Sequence, residues 1–291
     1  GVMMRGRQAM ATAVRDPEGV IQIESERLTP PEKQSKLSRA PFIRGVVNFV
    51  RSMIDGNRTL MRSADVAMPE DEEQSKASKW LEEKHKIDIN SVFNFIAVLL
   101  GVVLAIAIFI ALPQYFTSFF PFERTSVWFS LIEGGIRLII FIAYILIISC
   151  IPSLRRVFMC HGAEHKTIFC YEQGLELTVE NVRKQRRFHP RCGTSFILIV
   201  LIVSALVFSL VTWDKLIVRI ALKLICLPIV VGITYEIIKL AGRYETCTTR
   251  IISAPGLWLQ RVTVLEPSDD MIECAIVAFK EVIPEDQSDK Y

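Results

Sequence analysis

From residue 91 onward the chain alternates between long apolar runs and polar connections. Ser91–Leu112 and Ser195–Trp213 carry no charged residue, Val127–Ile151 includes Glu133 and Arg137, and Leu216–Ala241 includes Arg219, Lys223 and Glu236. Apolar runs of about 18 residues or more are long enough to cross a bilayer as helices. The pattern therefore predicts four transmembrane helices, with both termini on one side. Upstream, residues 9–14 and 20–27 show partial alternation around Arg15-Asp16-Pro17-Glu18-Gly19, which predicts a β-hairpin. An isolated hairpin is marginal in water, so this one should pack on another part of the chain, the C-terminal segment being the candidate.

Residues 41–54 are apolar but too short to span. Phe42, Val46, Phe49, Val50 and Met53 recur at helical spacing, with Arg44, Asn48 and Arg51 elsewhere on the wheel. That suits a helix lying in the membrane interface, or one packed on the protein's own core. Residues 65–90 are charged and read as an exposed helical linker. After the spans, Pro255-Gly256-Leu257-Trp258-Leu259 resembles a second interfacial anchor. Ser268-Asp269-Asp270 caps a helix with Met271, Cys274, Ala275, Ala278 and Phe279 on one face, and the tail from Pro284 is polar. The expected fold class is an all-α polytopic membrane protein with a small N-terminal β-hairpin and cytosolic helical segments. It divides into an N-terminal region 1–90, a transmembrane domain 91–241 with a loop 152–194, and a C-terminal segment 242–291.

Charge orients this layout. The loop 152–194 carries Arg155, Arg156, Lys166, Arg183, Lys184, Arg186, Arg187 and Arg191, whereas 113–126 has only Arg124 and the 214–215 turn only Lys215. The positive-inside rule puts the long loop and both termini on the cytoplasmic side. Tyr115, Phe116, Phe119, Phe120, Trp128 and Trp213 gather at the opposite face, as in an aromatic belt. Val2 to Arg15 contains no apolar segment of the kind that cores a signal peptide.

Composition agrees and excludes some classes. Hydrophobic residues make up 51% of the chain and the net charge is only +3, with both signs mixed. No basic stripe marks a nucleic-acid protein; the lipid bilayer is the expected partner, with a second copy or another membrane protein as further candidates. The seven cysteines show no pairing pattern. Cys150 and Cys226 lie in apolar runs, and the others fall in regions assigned to the cytosol, where disulfides are rare.

Charges within spans cost roughly 2.5–3.5 kcal/mol each on insertion scales and persist where they are paired or wetted. Counted from the membrane face where both helices enter, Glu133 and Lys223 lie at similar depth, and Glu133 and Arg137 are one turn apart. A Glu133–Lys223 or Glu133–Arg137 pair inside the bundle is expected, either to fix helix register or to line a polar cavity.

The candidate chemistry lies elsewhere. Of the four histidines in the chain, three fall in the segment that contains Cys160-His161-Gly162-Ala163-Glu164-His165-Lys166 and His189-Pro190-Arg191-Cys192. On a helix continuing from the second span, His161 and His165 are i and i+4 and share a face, with Glu164 beside them. H-x-x-E-H is the inverzincin arrangement, in which two imidazoles hold zinc and the glutamate takes a proton from water. A third ligand is needed. His189 and Cys192 are the leading candidates, with Glu172 and Glu180 behind them. A structural site closed by His161, His165, His189 and Cys192 competes with an open catalytic one, and both compete with a polar network that holds no ion. Cys160 and Cys170 read as packing residues. Arg186, Arg187 and Arg191 suit lipid phosphates or serve as topology signals.

These residues resemble the YqhQ-like bacterial membrane proteins, a family of unknown function labelled as predicted metal-dependent enzymes. The resemblance rests on Gly1-Val2-Met3-Met4-Arg5-Gly6, Arg155-Arg156-Val157-Phe158, His161-Gly-Ala-Glu164-His165-Lys166, Glu180-Asn181-Val182, His189-Pro-Arg-Cys192-Gly-Thr-Ser195-Phe196 and Pro255-Gly-Leu. It runs over nearly the whole chain and implies that a few residues precede Gly1. It implies the same metal residues and no established activity. A metal-dependent hydrolase at the cytosolic membrane face, acting on a peptide or a lipid with Glu164 as base, is the sharper expectation. A non-enzymatic scaffold or assembly factor is the alternative. A transporter is disfavoured, because no inverted repeat is visible.

Overall fold

The computed structural model describes residues 1–6, 8–28, 35, 38, 40–67, 89–189, 192–210, 213, 215–243 and 247–283. Most of the expected linker over 65–90, and the tail from Pro284, lie outside these residues. Two compact units are present: Gly1–Ala67 with Ala143–Val203 and Leu227–Tyr291, and Met68–Ile142 with Ser204–Cys226.

The first unit opens with an antiparallel sheet of β1 (Val2–Arg5), β2 (Ala9–Arg15) and β3 (Ile21–Arg27), in that order. The expected hairpin is β2–β3, with Ala9 opposite Arg27 and Arg15 opposite Ile21. Its turn is closed by Asp16, whose Oδ1 accepts from the Val20 amide at 2.9 Å, and by Gly19 at φ 89°, a left-handed conformation that glycine adopts without penalty. A third strand, β1, pairs with β2 from Val2 opposite Ala13 to Arg5 opposite Met10. Four residues are too few to show a period in the sequence; Val2 and Met4 reveal themselves only by burial against the rest of the unit. The sheet packs on a C-terminal helix, Asp269–Lys280. Val2, Met4, Ala11 and Ala13 share one core with its residues Ile272, Ala275 and Ala278.

Helix α1 (Ile43–Ala67) is longer than the expected 41–54. Two of the polar residues that lie off its apolar stripe are engaged by protein. Arg44 Nε donates to Glu236 Oε1 at 2.7 Å, and Asn48 Nδ2 donates to the Tyr235 hydroxyl at 2.9 Å. Gly45 permits that approach, since a Cβ there would stand 2.6 Å from Tyr235 Cβ. Phe49, Val50, Met53 and Ile54 remain exposed.

Among the described residues, three helices are long and apolar enough to cross a membrane: Phe95–Thr117, Val127–Ser149 and Ile217–Leu240. The first is α2 (Ile89–Ile106), which runs through a π-helical turn at Ala107–Ala111 into α3 (Leu112–Thr117). The second is α4 (Val127–Ser149). Helices α5 (Pro152–Glu172), α6 (Val179–Arg183) and α7 (Gly193–Ser209) follow, and α8 (Leu216–Arg243) contains the third. Helix α9 (Cys247–Thr263) and α10 (Asp269–Lys280) complete the chain, so Pro255-Gly256-Leu257-Trp258 is helical, with Trp258 exposed and Leu259 buried. The expected span 195–213 corresponds to α7. Its 17 residues rise roughly 26 Å, short of a hydrocarbon thickness of about 30 Å.

In the second unit the polar residues of the spans meet. The Glu133 carboxylate accepts from Arg137 Nη2 at 2.6 Å and from Lys223 Nζ, and Arg219 Nη2 stands 3.4 Å from its other oxygen. All four side chains are buried, with residue exposures of 0–3%. Arg137 also donates through Nε to the carbonyl of Phe109 in the π-helical turn at 2.8 Å, and through Nη1 to Ser204 at 3.2 Å. The altered hydrogen-bond ladder of a π turn supplies carbonyls that an ordinary helix would keep to itself. Ala205 lies so close to Gly134 that a Cβ on that glycine would be 2.5 Å from its own.

Candidate metal centre

Helix α5 does not continue from α4. Ile151 is extended, with ψ at 121°, and Pro152 occupies the first turn of a new helix, where its missing N–H costs nothing. The new helix still holds residues 161–165 in register, and Gly174 at φ 68° ends it. His161 and His165 lie one turn apart, with ring centroids separated by 4.4 Å.

What presses against this helix is the segment after α9. Leu265 N–H donates to Phe158 O at 3.0 Å. The backbone comes so close to Gly162 that a Cβ there would lie 1.9 Å from Leu265 O. This approach brings the carbonyl of Thr263 to His161 Nδ1 at 3.1 Å. From the other side, the segment after α6 brings the carbonyl of Arg187 to His165 Nδ1 at 2.5 Å. A carbonyl only accepts, so each Nδ1 carries a proton, and it is Nε2 that has the lone pair in the neutral ring. Metal-ligating histidines are held in this way, with one ring nitrogen donating to a backbone or carboxylate oxygen and the other left for the ion. His161 Nε2 is 3.1 Å from Cys192 Sγ. Ligand atoms of His161, His165 and Cys192 all lie within 4.8 Å of one another, with His165 and Cys192 buried. One ion can bridge that set, and two imidazoles with a thiolate are a donor set that suits zinc.

His189 is placed differently. The Gln260 side chain grips its backbone on both sides, accepting from His189 N at 2.9 Å and donating to His189 O at 2.8 Å. Its Nε2 stands 3.4 Å from Glu172 Oε2, and its ring packs on Phe169 with centroids 4.7 Å apart. It neighbours His165, at 5.8 Å between centroids, but is not in the converging set. Glu180 is exposed and bonded to Lys184 at 2.6 Å. Pro190 and Arg191 lie outside the described residues. Cys160 and Cys170 are not in the set either; burial pushes both thiols up from their ordinary pKa, which favours the neutral packing form.

Glu164 is half-buried beside His161 and is not among the converging ligand atoms. Protein crowding around its carboxyl raises its pKa above the usual carboxylate range, and His161 opposes part of the rise. Lys166 is buried, donating to Arg183 O at 2.8 Å and to Glu266. It ties α5 to α6 and to the segment after α9. Gln260, Thr263 and Arg187 were not legible as site residues, because two of them act through backbone carbonyls and Gln260 lies 71 residues from the one it holds.

Comparison with known proteins agrees in extent. Residues 40–285 match the family model described as a protein of unknown function, DUF1385. The "Uncharacterized protein YqhQ" of Bacillus subtilis (strain 168) is 33% identical over 296 residues, covering 97% of this chain and 89% of that protein. No solved structure matches the chain. The chain therefore belongs to the DUF1385 family.

Proposed function

We propose that this protein binds a transition-metal ion, zinc, through His161, His165 and Cys192 at a membrane surface, and that it is a metal-dependent hydrolase there. The observation that supports the proposal is the convergence of ligand atoms of His161, His165 and Cys192 within 4.8 Å of one another, with each histidine's Nδ1 held by a backbone carbonyl, Thr263 O and Arg187 O. Three protein ligands leave a fourth position for water or substrate. Zinc bound there supplies Lewis acidity. Glu164, three residues after His161 and one before His165, takes up a proton from the attacking water. His189 stands beside this set, with its Nε2 3.4 Å from Glu172. Around the site the proposed layout has four membrane-crossing helices, α7 being the short one, with both termini and residues 152–194 on the cytoplasmic side of the bacterial plasma membrane. The arginine-rich composition of 152–194 supports that orientation. The substrate class is a peptide or a lipid at that face.

One observation favours a second reading, a scaffold. The His161–Thr263, His165–Arg187 and His161–Cys192 contacts tie three separate segments together directly. Glu164→Gln separates the two. The zinc-loaded protein is offered phospholipid vesicles and a peptide library, and product release is followed. A hydrolase loses about a hundredfold or more of its turnover in the variant while its metal content stays at the wild-type level. Undetectable turnover in the metal-loaded wild type, or equal turnover in the variant, contradicts the assignment of Glu164.

A further inference from the structure

The polar centre of the second unit is short of negative charge. Arg137, Arg219 and Lys223 surround a single carboxylate, Glu133, and all four are buried. Unpaired charge in an apolar interior is strongly disfavoured, and buried cations ordinarily find counter-charges or lose their proton. Guanidinium groups keep theirs. Hydrogen bonding among the described residues leaves one buried donor of the cluster, Arg219 Nε, and one buried acceptor, Glu133 Oε2, without a hydrogen-bond partner. Arg219 uses Nη1 on Arg124 O at 2.9 Å and Nη2 on Ser130 at 3.1 Å, while its buried Nε has no acceptor among the described residues. Lys223 Nζ has three N–H groups to give and donates to Glu133 Oε1. The remaining partners of the cations are ring faces. Phe129 lies 4.5 Å from the Arg219 guanidinium carbon, and Phe208 lies 5.2 Å from that of Arg137 and 5.7 Å from Lys223 Nζ. An aromatic face attracts a cation but supplies no counter-charge.

We propose that this centre binds a phosphate group. Three cations and one carboxylate leave a formal excess of two positive charges among the described residues, and a phosphate monoester brings roughly two negative charges near neutral pH. Its oxygens accept from Lys223 and from Arg219 Nε, the donors left over, while the Phe208 ring gives up its place against Arg137 and Lys223. Glu133 holds the three cations together rather than neutralising them. The centre lies within the apolar stretches Val127–Ser149 and Ile217–Leu240, close to the ends where those two helices begin. A monoester lipid headgroup and free inorganic phosphate share the required chemistry. The site is independent of the proposed zinc centre.

The test uses the full chain, stripped of lipid and placed in nanodiscs of phosphatidylcholine alone. Thermal unfolding is followed with inorganic phosphate added in one arm and with phosphatidic acid built into the disc in the other. Saturation in at least one arm raises the melting temperature by roughly 5 °C. Lys223→Met and Arg219→Gln each abolish the shift, and either variant that folds suffices. Native mass spectrometry of the wild type counts one bound phosphate species and needs no variant. A response to phosphatidic acid alone assigns a lipid headgroup, and a response to both probes assigns a free oxyanion. The absence of a shift in both arms together with no bound species, or an equal shift in a folded variant, overturns the proposal.

Discussion

Glu133→Ala is expected to remove most of the folded protein, with the largest loss of any single substitution in the spans. The change leaves Arg137, Arg219 and Lys223 buried at 0–3% exposure with no carboxylate beside them. Removing one partner from a buried ionic cluster costs about 3–5 kcal/mol, because the charges left behind have lost their compensation. Total stabilities are only about 5–15 kcal/mol, so this is a large share. Arg219→Lys is milder, since it keeps the charge. The double variant Glu133→Ala/Lys223→Met recovers part of the loss by removing one stranded cation. Detergent-extracted yield and size-exclusion profile provide the readout. An unchanged profile and melting temperature for Glu133→Ala would mean that the cluster contributes nothing to the fold.

The second large effect falls on Gly162. Its would-be Cβ meets Leu265 O at 1.9 Å and Leu265 C at 3.1 Å, both backbone atoms that cannot rotate away. Gly162→Ala therefore forces the segment after α9 off the helix. The expected cost is about 3 kcal/mol, at the upper end for overpacking, or roughly 10 °C in melting temperature. Thr263 O shifts with that segment and His161 loses its orienting acceptor, so the variant also binds metal more weakly. Gly56→Ala is the control, because a Cβ there has nothing within 4 Å and alanine is the better helix former. If Gly162→Ala unfolds with the wild type and keeps its metal affinity, the close approach is not a constraint.

The helix-borne part of the candidate site was legible because a spacing of four residues has one meaning on a helix. His161 with His165, and Glu133 with Arg137, needed only the periodicity and a uniform local structure. Arg219 is one turn from Lys223 on α8 and was equally readable, but a depth count from the span boundary set it apart from Glu133; the 3.4 Å approach reflects side-chain reach rather than residue depth. The choice between His189 and Cys192 was not legible. The two are three residues apart in the sequence, and what separates them is Gln260, which binds the backbone of His189 from another helix. The restart of α5 at Pro152 was signalled by the proline and by the change from an apolar run to one that carries Arg155 and Arg156. Strand β1 was invisible for want of length, and the π turn at Ala107–Ala111 leaves no mark in an unbroken run of apolar residues.

The most direct test of the metal centre is elemental analysis of the purified wild type beside His161→Ala/His165→Ala, both shown to be folded by their melting curves. Close to one zinc per chain in the wild type, and less than about a tenth of that in the double variant, is the predicted result, since two of three ligands are gone. A well-folded wild type that carries no zinc, and takes up none when it is supplied, would contradict the metal centre and leave the His161–Cys192 and His165–Arg187 contacts as structural ties.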